Sequence, residues 1–377
     1  MTTYATRLDA ADAAVTVVSS LRTVTDWSRH YFGPWWNAAE VPPGDVCMAG
    51  PLIVAEVDPR RYEEMALGVT RSPHTSTAYA KARTLVARDD DQGVITAVSP
   101  EEGLAYRSET VTGRLTIYGC EGGAVATAAA RLAREAVRGV LLRSGWSVLH
   151  ASAVALDGRV VLAFGGKGVG KTTSAVALAA RHGWELLAND RVFVRTNPAG
   201  GVDVLPWPSA AALGLGLLDA LGWFDVARER LEAGEALHPT QDRRVTEALL
   251  AGRREPLWEG GRELKAQVFP DQFPGWFGVD LSTGGQAAVL LFPRIVAGAV
   301  PALRQDGRGL SEGDFMSGKT EDRYPDVFGL VRVDGGGSAE ARGAVARALG
   351  ELPRQSVVLG HDVTANADFL VKVAAGV

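Results

Sequence analysis

The chain is 377 residues long, and 46% of its residues are hydrophobic while 22% are charged. This length and composition predict a globular protein of two domains and exclude global disorder. A net charge of −5 does not favour a nucleic-acid partner, because a phosphate-backbone binder needs a basic face. Two cysteines are too few for a disulfide framework.

No segment of the sequence has the pattern of a targeting signal or a membrane span. Residues 1–21 lack a basic start followed by a long apolar run. The longest apolar stretch, residues 210–221, is too short to cross a bilayer. We therefore expect a cytoplasmic protein without a membrane partner, and the sequence leaves homo-oligomerisation open.

The N-terminal third of the chain is rich in strand patterns. Such a pattern begins at residues 52–57 and recurs at residues 93–98 and 105–118, where apolar and polar side chains alternate. These patterns predict a small β-rich α+β domain over residues 1–122.

The hydrophobic period then changes to that of a helix. Over residues 124–143 the apolar side chains share one stripe, and Arg131, Arg134 and Arg138 share the opposite face. We expect a connecting helix within residues 123–145.

Two apolar runs follow, at residues 147–156 and 159–164. They are separated by Asp157 and Gly158, and this dipeptide between two strand patterns is a strong β-hairpin signal. The sequence therefore predicts two antiparallel strands joined by a tight turn.

The second of these strands leads into a glycine-rich segment and then into a helical pattern at residues 172–182. The helix has small apolar residues on every side, so we expect it to be buried against a sheet. A short apolar strand at residues 184–188 ends at Asn189 and Asp190. This order predicts an α/β domain over residues 146–377, with a P-loop core and a mixed sheet.

The glycine-rich segment satisfies the pattern G-x-x-x-x-G-K-[ST]. The residues predicted to bind nucleotide are Gly165, Gly166, Lys167, Gly168, Val169, Gly170, Lys171, Thr172 and Thr173. Glycines allow a sharp turn whose N–H groups point at phosphates, and the following helix adds its positive end. Lys171 would reach the β and γ phosphates of ATP, and the Thr172 hydroxyl would bind Mg²⁺. Lys167 either touches phosphate or faces solvent.

Residues 150–192 resemble the catalytic domain of HPr kinase/phosphorylase and of its shorter kinase-like relatives. The matching parts are His150 and its strand, the Asp157–Gly158 turn, the glycine-rich segment, and the stretch from Leu186 to Val192. PEP carboxykinases share the same core. The resemblance implies a β-rich domain followed by a P-loop domain.

The resemblance also implies roles for individual residues. Counterparts of Lys171 and Thr172 hold triphosphate and Mg²⁺, and His150 lies beside that site. An acidic pair after the next strand supplies a metal contact and the base that receives the substrate's proton. Here that pair is Asn189 and Asp190, so either Asp190 takes both roles alone or the base lies elsewhere.

The implied function is an ATP-dependent kinase that transfers the γ-phosphate to a hydroxyl of a small molecule, peptide or protein. One alternative is a nucleotide-binding switch in which Asn189 has silenced transfer. Another is carboxykinase-like chemistry on a phospho-acid, which needs metal ligands that the sequence does not show.

Several candidates keep a structural alternative. His150 is either a site residue or a structural histidine, and Asp190 is either a metal ligand and base or a turn aspartate. Arg191 is either a phosphate clamp or a surface partner of Asp190. Lys265 is the best downstream cation for a transition-state charge, and a solvated lysine is the alternative.

Overall fold

A computed structural model describes residues 2–45, 51–316 and 325–375. The chain divides into two compact units of mixed α/β structure. The first comprises Met1–Ser147 and Met316–Ala339, and the second comprises Val148–Phe315 and Glu340–Val377. Within the described ranges, no helix combines the length and the apolar character needed to cross a membrane.

The first unit is built on one large sheet. Its strands are β1 (Tyr4–Ala10), β2 (Ala13–Ser19), β3 (Ala39–Glu40), β4 (Leu52–Val57), β5 (Thr75–Tyr79), β6 (Ala82–Asp89), β7 (Val94–Ser99), β8 (Leu104–Glu109) and β9 (Arg114–Gly119), and its α-helices are α1 (Arg22–Phe32), α2 (Pro59–Arg71) and α3 (Gly122–Arg143). The strand order is β3-β1-β2-β4-β9-β8-β7-β6-β5. Strands β5 to β9 form an antiparallel meander, whereas β2, β4 and β9 are parallel neighbours, so the sheet is mixed.

The helix predicted from the changed hydrophobic period is α3, and the structure groups it with the first unit. Two arginines of the opposite face, Arg134 and Arg138, are buried as well as the apolar stripe, and Arg131 is half-buried. Arg134 and Arg138 lie 3.6 and 2.7 Å from the two carboxylate oxygens of Glu135, and Arg134 also donates to the Tyr31 hydroxyl at 3.0 Å. These ionic contacts explain how a face that looks solvent-exposed in the sequence can be buried.

A late segment of the chain completes the first unit. The ring of Phe328 packs edge-on against Tyr79 with 5.1 Å between centroids, and its carbonyl accepts a hydrogen bond from Ser108 (2.8 Å). Arg143 donates to the carbonyl of Leu330 at 2.8 Å. The two hydrogen bonds are made to main-chain carbonyls, which carry no side-chain pattern, so the sequence does not reveal them.

The second unit contains the mixed sheet on which the candidate site lies. Its strands are β10 (Ser147–Leu149), β11 (Ala151–Leu156), β12 (Arg159–Phe164), β13 (Glu185–Ala188), β14 (Val192–Thr196), β15 (Val202–Pro206), β16 (Ala211–Leu213), β17 (Leu257–Glu259), β18 (Arg262–Leu264), β19 (Ala266–Val268), β20 (Gly285–Ile295), β21 (Ala302–Arg304) and β22 (Arg354–Leu359), and its α-helices are α4 (Lys171–His182), α5 (Leu215–Ala220), α6 (Phe224–Glu232), α7 (Arg243–Leu250), α8 (Gln272–Phe277), α9 (Ala339–Gly350) and α10 (Val363–Ala375). The main order is β10-β14-β15-β20-β12-β11-β13, with β22 beside β20 and β21 beside β22.

The direction of these strands places four carboxyl ends at one edge of the sheet. β11 is antiparallel to both β12 and β13, so β12 and β13 point the same way. β12 is parallel to β20, and β20 is parallel to β22. Ligands of α/β sheets bind at the carboxyl ends of such strands. Alanine-rich α4 is buried as predicted, packs on β11 and β12, and ends at Gly183 in the left-handed conformation.

The predicted hairpin is confirmed, but the first of its strands is interrupted. β11 and β12 pair from Leu156 and Arg159 outward, and Asp157 and Gly158 both have positive φ. The sequence predicted one strand over residues 147–156. The strand breaks at His150, because the His150 N–H bonds to the carbonyl of Asp314 at 2.8 Å.

Candidate functional site

A tight turn from Gly165 to Gly170 joins β12 to α4. Gly165 and Gly170 have φ of +136° and +108°, in the region that favours glycine. A Cβ on Gly165 would lie 2.7 Å from Val169 Cγ2, and a Cβ on Gly170 would lie 2.7 Å from Ile295 Cγ1. Both positions therefore require glycine, and the turn lies against the carboxyl end of β20.

The first amides of α4 face the turn without a side-chain cap. The N-cap residue is Gly170, which offers no side-chain acceptor, and the first hydrogen bond of the helix runs from the Ser174 N–H to the Gly170 carbonyl (2.8 Å). The N–H groups of Lys171, Thr172 and Thr173 precede that bond and have no acceptor within the helix. Together with the helix dipole, they favour an anion at this end.

The ammonium group of Lys171 lies across the turn. Its Nζ donates to the carbonyls of Gly165 at 2.5 Å and Gly166 at 3.1 Å. This places a positive charge beside the first residues of the turn. Lys167, by contrast, is exposed.

The hydroxyl of Thr172 ties the start of α4 to the end of β13. Thr172 Oγ1 donates to the carbonyl of Asn189 at 3.1 Å, and Ser152 Oγ donates to the same carbonyl at 2.5 Å. Because the Thr172 proton is used in this bond, the lone pairs of its oxygen stay available to a cation. Asp190 is the next residue, so its Cα lies about 3.8 Å from that of Asn189. The Asp190 side chain is about half exposed (54%).

The Asn189 side chain has a structural role that explains why the residue is an amide. It is 5% exposed, its Oδ1 accepts from Ser209 Oγ at 3.0 Å, and its Nδ2 donates to the carbonyl of Ala210 at 3.4 Å. An aspartate here would place a carboxylate oxygen against the Ala210 carbonyl. Through these two hydrogen bonds the amide fixes the segment that follows β15. As an amide, it cannot accept a proton from a substrate.

Arg191 is fixed beside this position. Its guanidinium lies 5.6 Å from the ring centroid of Trp207, and its Nε lies 3.7 Å from Asp190 Oδ2. The sequence left two roles for Arg191, a phosphate clamp or a surface partner of Asp190, and in both its cation lies next to Asp190. The structure shows it stacked on an aromatic ring and at ion-pair distance from the carboxylate.

His150 is brought to the turn by the pairing of the strands. Ala151 pairs with Phe164, the last residue of β12, so His150 precedes the paired residue that lies at the start of the turn. Its imidazole is half-buried. The N–H bond to Asp314 attaches the segment around residue 314 to the same edge of the sheet.

That segment carries Arg308, a cation that the sequence analysis did not identify. Arg308 Nη1 lies 3.2 Å from the position that a Cβ on Gly165 would occupy. The guanidinium lies 5.0 Å from the ring centroid of Phe292, and its Nη2 lies 3.5 Å from Asp314 Oδ1. No sequence pattern near Arg308 predicts that it lies beside Gly165, because its place depends on how a segment more than a hundred residues after the turn folds.

The backbone of this segment is held by Asp306. Its carboxylate accepts hydrogen bonds from the Ser356 hydroxyl (2.5 Å) and from the Arg308 N–H (3.2 Å). These two hydrogen bonds, and then the charges of Arg304 and Arg308, hold the pKa of Asp306 below its usual value. The carboxylate thus fixes the main chain from which Arg308 projects.

The structure does not bring Lys265 to the turn. Its Nζ lies 3.5 Å from Glu263 Oε2, between β18 and β19. No hydrogen bond or ion pair links its side chain to residues 165–173 in the part of the chain that the structure describes. In the same described residues, no three His, Cys, Asp or Glu side chains come together as a metal cluster.

No protein-family model matches the chain, and no curated protein matches it. Among solved structures that match is the Hpr(Ser) kinase/phosphatase from Coxiella burnetii. The two chains are 14% identical, the match covers 44% of this chain and 64% of that chain, and the TM-score is 0.22. The likeness to this kinase/phosphatase is too weak to carry an argument about function.

Proposed function

We propose that the second unit binds a nucleoside triphosphate at the Gly165–Thr172 turn and transfers its γ-phosphoryl group to a hydroxyl of a small molecule, peptide or protein. The observation that carries the proposal is the position of the Lys171 ammonium across a glycine turn that opens a helix. The amides of the turn, the positive end of the α4 dipole and the Lys171 ammonium all lie at the start of α4. This arrangement suits the β and γ phosphates of ATP.

The residues around the turn also fit Mg²⁺. Thr172 offers an oxygen whose proton is already donated to Asn189, and the half-exposed carboxylate of Asp190 follows directly. Hydroxyl and carboxylate oxygens are ligands that Mg²⁺ accepts beside phosphate oxygens. When bound, the ion neutralises charge on the β and γ phosphates.

Two side chains could accept the proton of the attacking hydroxyl. Asp190 follows the carboxyl end of β13, and His150 directly precedes Ala151, which pairs with the last residue of β12. Asn189 is excluded as a base, because it is an amide whose side chain is bonded to Ser209 and Ala210. We assign the base to Asp190, since a carboxylate can accept a proton and stay beside the metal.

Calorimetric titration with MgATP tests the binding step. The wild-type chain should bind, and Lys171→Ala should weaken binding by about two orders of magnitude or more, because it removes a charge-assisted contact to phosphate. Lys372→Ala, which removes an exposed lysine of α10, is the matched control and should bind like the wild type. Equal affinity in Lys171→Ala and wild type would contradict the proposal.

The second candidate is a nucleotide-binding switch that transfers no phosphate. The structural use of the Asn189 amide favours it, because only one carboxylate remains at the end of β13. Transfer of labelled γ-phosphate to a pool of metabolites and peptides separates the two functions. A labelled acceptor that disappears in Asp190→Asn supports the kinase. Tight ATP binding with no labelled acceptor supports the switch.

A further inference from the structure

Arg308 brings a positive charge to the start of the turn from a distant part of the chain. Its Nη1 comes within 3.2 Å of the Cβ position of Gly165, and Lys171 Nζ lies 2.5 Å from the Gly165 carbonyl. Two positive groups, one from α4 and one from the segment after β21, therefore converge on the same residue.

The guanidinium of Arg308 is held by its neighbours, but they do not engage all of its N–H donors. The guanidinium lies over the Phe292 ring, 5.0 Å from its centroid, and this contact helps to hold it in place. Its carboxylate partner, Asp314, stands at 3.5 Å, longer than the 2.7–2.9 Å of a strong charge-assisted hydrogen bond. Asp314 itself is bonded to the Ser311 N–H and hydroxyl at 2.8 and 2.9 Å. Arg308 thus keeps N–H donors for another anion.

The geometry points to Arg308 as the residue that binds the terminal phosphate of the nucleotide, so that this site distinguishes a triphosphate from a diphosphate. This inference rests on the proposed nucleotide binding. The terminal phosphate carries the most charge in a nucleoside triphosphate, and the planar fork of arginine can donate two N–H groups to it. The amides of the turn and the α4 dipole would act on a diphosphate and a triphosphate alike, whereas Arg308 would contact only the triphosphate.

Binding of MgATP and MgADP to the intact chain and to Arg308→Ala tests this assignment. We expect Arg308→Ala to weaken MgATP by about tenfold to a hundredfold, the value of one or two hydrogen bonds to a charged group. MgADP affinity should change by less than about threefold. Arg308→Lys keeps the charge but loses the fork, and it should fall between Arg308→Ala and wild type for MgATP.

Arg304→Ala is the matched control. It removes an arginine of the same segment that pairs with Asp306 at 3.4 Å, and it should leave the ATP-to-ADP affinity ratio unchanged. A ratio in Arg308→Ala equal to that of the wild type would overturn the assignment while leaving nucleotide binding intact. A wild-type chain that binds neither nucleotide would overturn both.

Discussion

The two units use cationic side chains in different ways. In the first unit, Arg138 is 1% exposed and lies 2.7 Å from Glu135, and Arg134 lies 3.6 Å from the other oxygen of that carboxylate. In the second unit, Lys171 donates to neutral carbonyls, and Arg308 stands 3.5 Å from its carboxylate and is 38% exposed.

This difference separates cations that hold the fold from cations that can exchange partners. A fully buried charge must be paired, because removing it from water costs several kcal/mol per ion. Arg308 can move to a phosphate because the buried carboxylate of Asp314 keeps its two hydrogen bonds from Ser311. The comparison predicts that substitutions in the first group change stability, whereas substitutions in the second change nucleotide affinity.

The largest effect should follow from Glu135→Gln. This change keeps the shape of the side chain but leaves Arg134 and Arg138 in α3 without their shared carboxylate. We expect the free energy of unfolding to fall by about 3–5 kcal/mol, the usual result of breaking a buried pair from one side. Urea denaturation followed by circular dichroism measures it.

Glu109→Gln is the control for that experiment. Glu109 pairs with Arg107 at 3.4 Å in the same unit, but both side chains are well exposed (34% and 47%). Its loss should cost less than about 1 kcal/mol. If the two variants were equally stable, the buried arginines would not depend on Glu135, and the contrast between the units would be wrong.

Substitution of a glycine in the turn should lower both the stability of the protein and its affinity for MgATP. Gly170→Ala places a Cβ 2.7 Å from Ile295 at a φ of +108°, whereas a Cβ on Gly168 meets nothing within 4 Å at a φ of +82°. We expect Gly170→Ala to cost roughly 2–4 kcal/mol from strain and overpacking, and to weaken MgATP as well. Gly168→Ala should cost about 1–2 kcal/mol.

Thermal unfolding and MgATP titration of both variants measure these effects. A Gly170→Ala variant that is as stable as Gly168→Ala would mean that the end of β20 does not confine the turn. Reduced stability with unchanged affinity would mean that the turn backbone is not part of the nucleotide site.

The sequence predicts the parts of the site that are local. The order of strand, glycine turn, helix and strand is confirmed by β12, α4 and β13, because each has a hydrophobic period and clear end signals. The hairpin at Asp157 and Gly158 follows from turn chemistry in the same way. Pairing of Ala151 with Phe164 then places His150 next to the end of β12, which the sequence could only suggest from proximity to the turn.

The distant parts of the site could not be predicted. Arg308 reaches Gly165 through the pairing of β12 with β20 and through a loop held by Asp306, and neither leaves a periodic pattern. The Asn189 side chain bonds to Ser209 and Ala210, which follow two further strands along the chain. The burial of the α3 arginines was missed for a similar reason, since a polar helical face is ordinarily solvated.

The smallest effect should come from the carboxylate that holds the Arg308 segment. The pKa of Asp306 is lowered from its ordinary value of 3.8, chiefly by the Ser356 hydrogen bond and next by the Arg308 N–H. A lowered pKa in the folded state means that Asp306 contributes stability at pH values above 3.8, and that this contribution is lost as the pH falls through the folded-state pKa.

Asp306→Asn should therefore be slightly less stable than the wild type at pH 7, and the two should converge as the pH is lowered towards 2, as measured by unfolding midpoints across that range. At pH 7 the variant should also lose part of the preference for MgATP over MgADP, because the Arg308 backbone is held less firmly. A variant with lower stability but an unchanged preference would show that Phe292 and Asp314 position the guanidinium by themselves. In that case the cation at the turn would be fixed by its side-chain contacts alone.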